Sequence, residues 1–214
     1  MEFLLKRADP IGKQPLHGLA ALEGLSPMDP PDAYAPPHIE PVAVKDMHPF
    51  LQHLVAEHVP FLRELDAFEE TIQGIQKQGY TKVADAQLRH FLNFFDEHFI
   101  AHHRHEEAEL FPLLKRRLLE VGEHGSGPDP QTPVDLMQDE HLKAIQLAAV
   151  VLNFLGLAFR FPDQQTRLIV LDAALEQARF LVELLRLHVF REDNMIFPLA
   201  HQLISPVELE RLQA

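Results

Sequence analysis

His102 with Glu106, and His188 with Glu192, are two copies of one pattern. The first stands in HHRHEEAELFPL and the second in HVFREDNMIFPL. Each has a His, a Glu four residues later, and Phe-Pro-Leu beginning five residues after that Glu. On a helix, residues i and i+4 lie one turn apart on the same face. Each pair therefore aims an imidazole and a carboxylate at one point. A metal ion takes such a set, and imidazole with carboxylate suits iron, manganese or zinc. One such pair is common by chance on a solvated face. Two in the same frame, each ending in Phe-Pro-Leu, are hard to dismiss.

The elements that would position these residues follow from periodicity. Leu51, Leu54, His58, Phe61, Leu65, Phe68, Ile72 and Ile75 alternate steps of three and four, a seam that helix bundles bury. This predicts a helix over about 46–77, with His58 at a seam position that calls for an apolar residue. Pro60 lies inside it and should leave the Ala56 carbonyl without its partner, bending the helix. Gly79-Tyr80-Thr81 breaks the pattern, and a second helix is predicted over about 82–120. Its inner stripe holds Leu88, Leu92, Phe95, Phe99, His102 and Glu106. After a Gly- and Pro-rich loop, Thr132-Pro133-Val134-Asp135 is a helix start: a capping Thr, Pro at the first position, an acid at the third. The third helix runs to about residue 160, with His141 inward among Met137, Ala144, Ala148, Val151 and Leu155. Phe161-Pro162-Asp163 turns the chain into a fourth helix ending near Leu203. Its inner face holds Leu181, Leu185, His188 and Glu192. Ser205-Pro206-Val207-Glu208 is a capping box that opens a short last helix.

The expected fold is all-α: an antiparallel up-down-up-down four-helix bundle over residues 46–214 that includes the short C-terminal helix. Residues 1–45 hold eight of the 17 prolines and are expected to form a Pro-rich arm lying along the body through Leu16, Leu19, Leu22 and Leu25. If neighbouring helices are antiparallel, residues at one height have the turn midway between them. His58 and His102 centre on Tyr80; His102 and His141 centre between Val121 and Gly122; His141 and His188 centre between Gln164 and Gln165. All three midpoints fall at or near predicted turns. Four imidazoles, from His58, His102, His141 and His188, then meet at one level. Glu106 and Glu192 lie one turn further along.

Composition narrows the alternatives. Cysteine is absent, which excludes disulfides, thiolate zinc sites and thiol catalysis. A net charge of −13 argues against nucleic acid and anionic membranes. No signal peptide is read at the start, and the run from Ala144 to Phe159 is interrupted by Gln146 and Asn153, too short and polar for a span. A cytoplasmic location is the expectation. Fourteen histidines raise the prior for metal.

With these residues in view the chain resembles the hemerythrin-like family, the HHE cation-binding four-helix bundles. The family's pattern of acid-His, His-x3-Glu, acid-His and His-x3-Glu followed by Phe-Pro is met by Glu57-His58, His102 and Glu106, Glu140-His141, and His188 and Glu192. The resemblance covers about residues 46–203. It implies two iron ions in an oxo- or hydroxo-bridged centre, with metal ligands His58, His102, Glu106, His141, His188 and Glu192. Two histidines would serve each iron and both glutamates would bridge. The oxygen carriers of this family have a fifth His four residues after that of helix three, where this chain has Ile145. They also use an Asp five residues after the helix-four His. Asp193 meets that spacing, but Glu192 matches the internal repeat and is preferred.

Each iron so ligated keeps one position open, which implies a protein that binds or reacts with dioxygen, nitric oxide or peroxide, or handles iron. The alternatives are a metal- or oxygen-responsive sensor and a ferritin-type oxidase, the latter weakened because no Glu-x-x-His pair of that class occurs. Whether the chain is an enzyme stays open. The expected partner is a diatomic ligand or peroxide, with a homodimer admitted, and neither nucleic acid nor membrane. His98, lying one turn before His102, His103, offering a rival register with Glu107, and His105 are left unassigned. His53, His90, His124 and His201 are read as surface or packing residues.

Overall fold

The computed structural model describes residues 41–125, 128 and 130–212. The arm expected over 1–45 lies outside them up to residue 40. Among the described residues the chain is helical and no strand occurs. A short 3-10 turn, Val44–Asp46, precedes helix α1, Pro49–Gln78. Pro49 takes the first helical position, where its missing N–H is harmless, and the His48 ring accepts the Phe50 N–H at 3.2 Å. Gly79, at φ 87°, ends the helix in a conformation that costs other residues free energy. The helix continues through Pro60.

Helix α2 spans residues 82–121 and begins at Thr81, whose hydroxyl accepts the Ala84 N–H at 3.1 Å. It contains two π-helical turns, Phe95–Phe99 and Glu106–Leu110. Gly122 closes it in the left-handed region at φ 82°. Helix α3, Pro133–Ala158, starts from the predicted capping box: Asp135 accepts the Thr132 N–H at 2.8 Å. Helix α4 spans 164–203 and has one π-helical turn, Glu192–Ile196. Asp163 caps it by accepting the Thr166 N–H at 2.7 Å. Helix α5, Pro206–Leu212, follows Ser205, whose hydroxyl donates to Glu208 at 2.7 Å. Packing closes a circuit: α1 lies against α2 and α4, α3 runs along α4, and α2 meets α3.

The core is divided. One apolar cluster holds Phe61, Leu65 and Phe68 of α1, Leu88 to Phe99 of α2, Ala144 to Leu155 of α3, and Ala174 to Val189 of α4. A second holds Leu51 and Leu54 of α1, Leu110 to Leu118 of α2, Val134 and Met137 of α3, and Ile196 to Ile204 of α4. Truncating one fully buried leucine, such as Leu54 or Leu185, should cost about 2–5 kcal/mol. In each helix a break separates the two clusters, at 55–60, 100–109, 138–143 and 190–195. Polar residues fill the layer between. Helix α3 is long and apolar enough to cross a membrane by length and composition, with a hydropathy of 1.5 over 18 residues. That exceeds what the interrupted run suggested, because the window takes in the apolar outer face: Leu142, Ile145 and Leu152 are exposed while Glu140 and His141 are buried.

Candidate metal centre

The layer between the two clusters contains His58, Glu106, His141, His188 and Glu192, all buried, and His102, whose side chain is 10% exposed. The six residues singled out in the sequence therefore come together. Glu106 and Glu192 are fully buried.

The repeated Phe-Pro has a backbone consequence that periodicity did not reveal. Phe111 donates its N–H to the Glu106 carbonyl, and Phe197 to the Glu192 carbonyl, each five residues back. Both glutamates thus open a π-helical turn. Pro112 and Pro198 have no N–H for the carbonyls four residues earlier, and their rings crowd those carbonyls. A wider turn takes up the extra residue, and such turns are frequent at functional sites. The phenylalanines then stack on histidines of neighbouring helices. Phe111 lies on His141 with centroids 5.6 Å apart, and Phe197 on His58 at 5.8 Å.

Each of the four histidines gives its Nδ1 proton to an acid on the helix before it in the circuit. Glu57 of α1 accepts from His102 of α2 at 2.6 Å. Glu107 of α2 accepts from His141 of α3 at 2.8 Å. Glu140 of α3 accepts from His188 of α4 at 3.1 Å. Asp193 of α4 accepts from His58 of α1 at 2.8 Å, which closes the ring. Arg191 in turn binds Glu140. A carboxylate can only accept, so each bond places a proton on Nδ1 and leaves Nε2 to face the centre. Acids behind metal-binding histidines act in this way, fixing tautomer and ring direction. The sequence carried a signal for these four: each acid stands next to a site residue of its own helix, in Glu57-His58, Glu106-Glu107, Glu140-His141 and Glu192-Asp193.

The inward nitrogens are paired. Nε2 of His58 and of His102 are 3.1 Å apart, as are those of His141 and His188. Two nitrogens bound at right angles to one ion, each at about 2.1 Å, would be about 3.0 Å apart. Donor atoms within 4.8 Å of one another group His58, His102 and Glu192, and separately Glu106, His141 and Glu192. Glu192 belongs to both sets. His58 Nε2 and His188 Nε2 lie 3.2 and 2.9 Å from its oxygens. These approaches are off the hydrogen-bond axis, and all four carboxylate oxygens of Glu106 and Glu192 lack a hydrogen-bond partner. Buried polar atoms are seldom left so, and cations placed between the imidazoles and the carboxylates would satisfy them. The donor set fits bound metal.

Protons partly fill that role in the metal-free chain. Burial acts to lower His58, but the Asp193 and Glu192 carboxylates outweigh it and raise the group to about 9. For His188, burial is likewise outweighed by Glu192 and Glu140, again to about 9. Burial and the nearby Glu192 push Glu106 well above the usual carboxylate range. Glu192 is held well below it despite burial, chiefly by His188. The two facing carboxyls are thus pushed in opposite directions.

The remaining histidines separate cleanly. His53, His90, His98 and His124 are exposed, and His105 and His201 are half-buried. His105 pairs with Glu109 at 3.1 Å, and Ile145 is 43% exposed. His103 is different: it is buried, stacked on His141, and its Nδ1 has no partner. The rival register of His103 and Glu107 is thus split between two tasks, with Glu107 behind His141 and His103 against its face.

Residues 50–200 match the family model described as Hemerythrin HHE cation binding domain. No match was found among curated proteins or among solved structures.

Proposed function

The chain belongs to the hemerythrin HHE cation-binding family, and from that premise we propose that it is a non-haem di-iron protein that binds or reacts with dioxygen, nitric oxide or peroxide, or handles iron itself. The observation that carries this reading is the ring of four acid-held imidazoles whose free nitrogens converge on four unpartnered carboxylate oxygens. His58 and His102 hold one iron, His141 and His188 the other, and Glu106 and Glu192 serve both. Support for the pairing comes from the two 3.1 Å nitrogen separations and from the place of Glu192 in both donor groups.

When bound, the iron pair supplies redox chemistry and an open position for a small ligand. The residues around it do the rest. Glu57, Glu107, Glu140 and Asp193 keep each Nδ1 protonated and each ring aimed inward. Phe111 and Phe197 cover two of the rings and keep water from them. A cavity of about 290 Å³, lined by Pro60, Phe61, Phe94, His98 and Ala101 and reaching His58, His102 and Glu192, gives a small molecule access. Four imidazoles against two buried carboxylates favour this reading over a ferritin-type oxidase, whose set is richer in carboxylate.

The bundle is read as up-down-up-down. Its support is the order in which the two apolar clusters occur along successive helices, which reverses at every turn. Metal analysis of protein prepared under reducing, iron-replete conditions tests the proposal; about two irons per chain are expected from this ligand set. Protein without bound metal would refute it. Oxidation of the loaded protein by dioxygen then separates a carrier, which binds reversibly, from an enzyme, which turns over repeatedly.

A further inference from the structure

The two repeats that build the site carry the same inward residues but differ in the residue that follows the second histidine. His58 corresponds to His141, His102 to His188, Glu106 to Glu192, and Phe111 to Phe197. In the same alignment His103 corresponds to Val189. Both are buried, and both line the cavity that reaches the centre. An aliphatic side chain satisfies packing there, as Val189 shows. His103 instead brings an imidazole whose Nδ1 is buried without a partner. A polar atom in that condition is costly unless something binds beside it.

The orientation of the ring decides what it can bind. A donor atom of His103 lies within 4.8 Å of those of His141 and His188, which at first suggests a fifth metal ligand. An imidazole binds a metal in its own ring plane, however. The rings of His103 and His141 are 12° from parallel with centroids 3.5 Å apart. An ion in the plane of His141 is therefore displaced from the plane of His103, where neither of its nitrogens points. The same displacement suits a group attached to that ion on the His103 side. The outer atom of such a group would approach the plane of the His103 ring.

We propose that His103 is a positioning residue for exogenous ligands, standing over the metal held by His141 and His188 and donating a hydrogen bond to a small anion bound there. This rests on the di-iron reading above. A neutral imidazole presents a donor from one nitrogen or the other according to tautomer, and no acid competes for its Nδ1. Val189 offers no such donor across the pseudo-symmetric site. The two metals are then unequal toward ligands: an anion is held on the His141 and His188 side of the pair.

The test is azide binding to the ferric-loaded full-length protein, compared with His103→Leu and His103→Gln. A hydrogen bond to an anion changes affinity by about ten- to a hundredfold. The leucine variant should lose azide affinity by that factor while keeping the wild-type iron content. The glutamine variant, which retains a donor, should stay within about threefold of wild type. Loss of iron from both variants would overturn the proposal by making His103 a ligand, and unchanged azide affinity in the leucine variant would overturn it by making the ring mere packing. Should the leucine variant fail to fold, the wild-type adduct itself answers: its azide stretch should shift in D2O, and no shift refutes the hydrogen bond. A wild-type chain that holds no iron pair overturns the di-iron reading and this inference with it. Two irons with no effect of His103 overturn this inference alone.

Discussion

Asp193 accepts the Nδ1 proton of His58 at 2.8 Å, although the two residues are 135 positions apart. Its neighbour Glu192 is fully buried at the centre, whereas the Asp193 side chain is 27% exposed. The adjacent acids thus have separate tasks: one faces the centre and the other holds an imidazole from behind.

This division predicts unequal losses. Asp193→Ala should leave iron stoichiometry intact and weaken metal affinity by about 10–100-fold, the usual effect of removing an acid behind a ligating histidine. Glu192→Ala should leave mononuclear or empty protein, and Glu106→Ala likewise. Competition against a chelator measures the first, and metal analysis the second. Full metal loss in Asp193→Ala with retention in Glu192→Ala would show that the roles are reversed.

The contrast also marks how far the sequence could be read. Helix positions and the inward histidines were legible because apolar periodicity and capping residues are local signals. The predicted caps at Thr132 and Ser205 form, and the breaks read at Thr81 and Asp163 also supply caps. The level of the site was legible because turns place His58, His102, His141 and His188 between two apolar clusters. The π-helical turns at Glu106 and Glu192 were written in the Glu-to-Phe-Pro spacing but hidden from a 3.6-residue period. The cross-helix pairing of Glu107 with His141, or Asp193 with His58, depends on which helices are neighbours. His103 was illegible for a similar reason: its ring is defined by stacking on a helix 38 residues away.

Histidine replacements should sort by position. On the proposed assignment, His102→Ala and His188→Ala each remove one of two nitrogens from a metal and should lose most of the bound iron. His124→Ala, at an exposed position, and His201→Ala, at a half-buried one in the last turns of α4, should keep it. Metal content of the four purified variants measures this. Equal content across them would refute the ligand assignment.

Metal-free protein should lose stability as pH rises. Burial acts to lower His58 and His188, yet the carboxylates beside them raise both to about 9, above the ordinary value of about 6.5. Between those values the folded chain holds protons that the unfolded chain has released. The stabilisation is complete below about 6.5 and is lost as pH climbs through about 9. Glu106, also raised, acts with the same sign; Glu192, lowered, contributes above the ordinary carboxylate range and is lost only in acid. The unfolding temperature of chelated protein should therefore fall between pH 6.5 and 9.5. Loaded protein should change less, since metal replaces those protons and binds more tightly as they leave. A melting temperature of chelated protein that holds or rises over this range would contradict the prediction.

Metal loading should stiffen one segment in particular. Without metal, Glu106 and Glu192 face each other in full burial, which disfavours charge on both. Protonation, water entry or local opening can relieve that arrangement. The segment around His58 has a weak point of its own. Pro60 follows His58 by two residues and cannot donate to the Ala56 carbonyl, so α1 is short of a hydrogen bond beside the site. Ions that bind only the folded state stabilise it by mass action, about 4 kcal/mol at a thousandfold excess over the dissociation constant. At about 2–4 °C per kcal/mol for a chain of this size, the melting temperature should rise by roughly 10 °C. Amide hydrogen exchange should show the largest gain in protection at residues 54–62, because opening there removes His58 from the metal pair. Equal protection of that segment in both states, with an unchanged melting temperature, would mean that the site is preformed and its occupancy uncoupled from the fold.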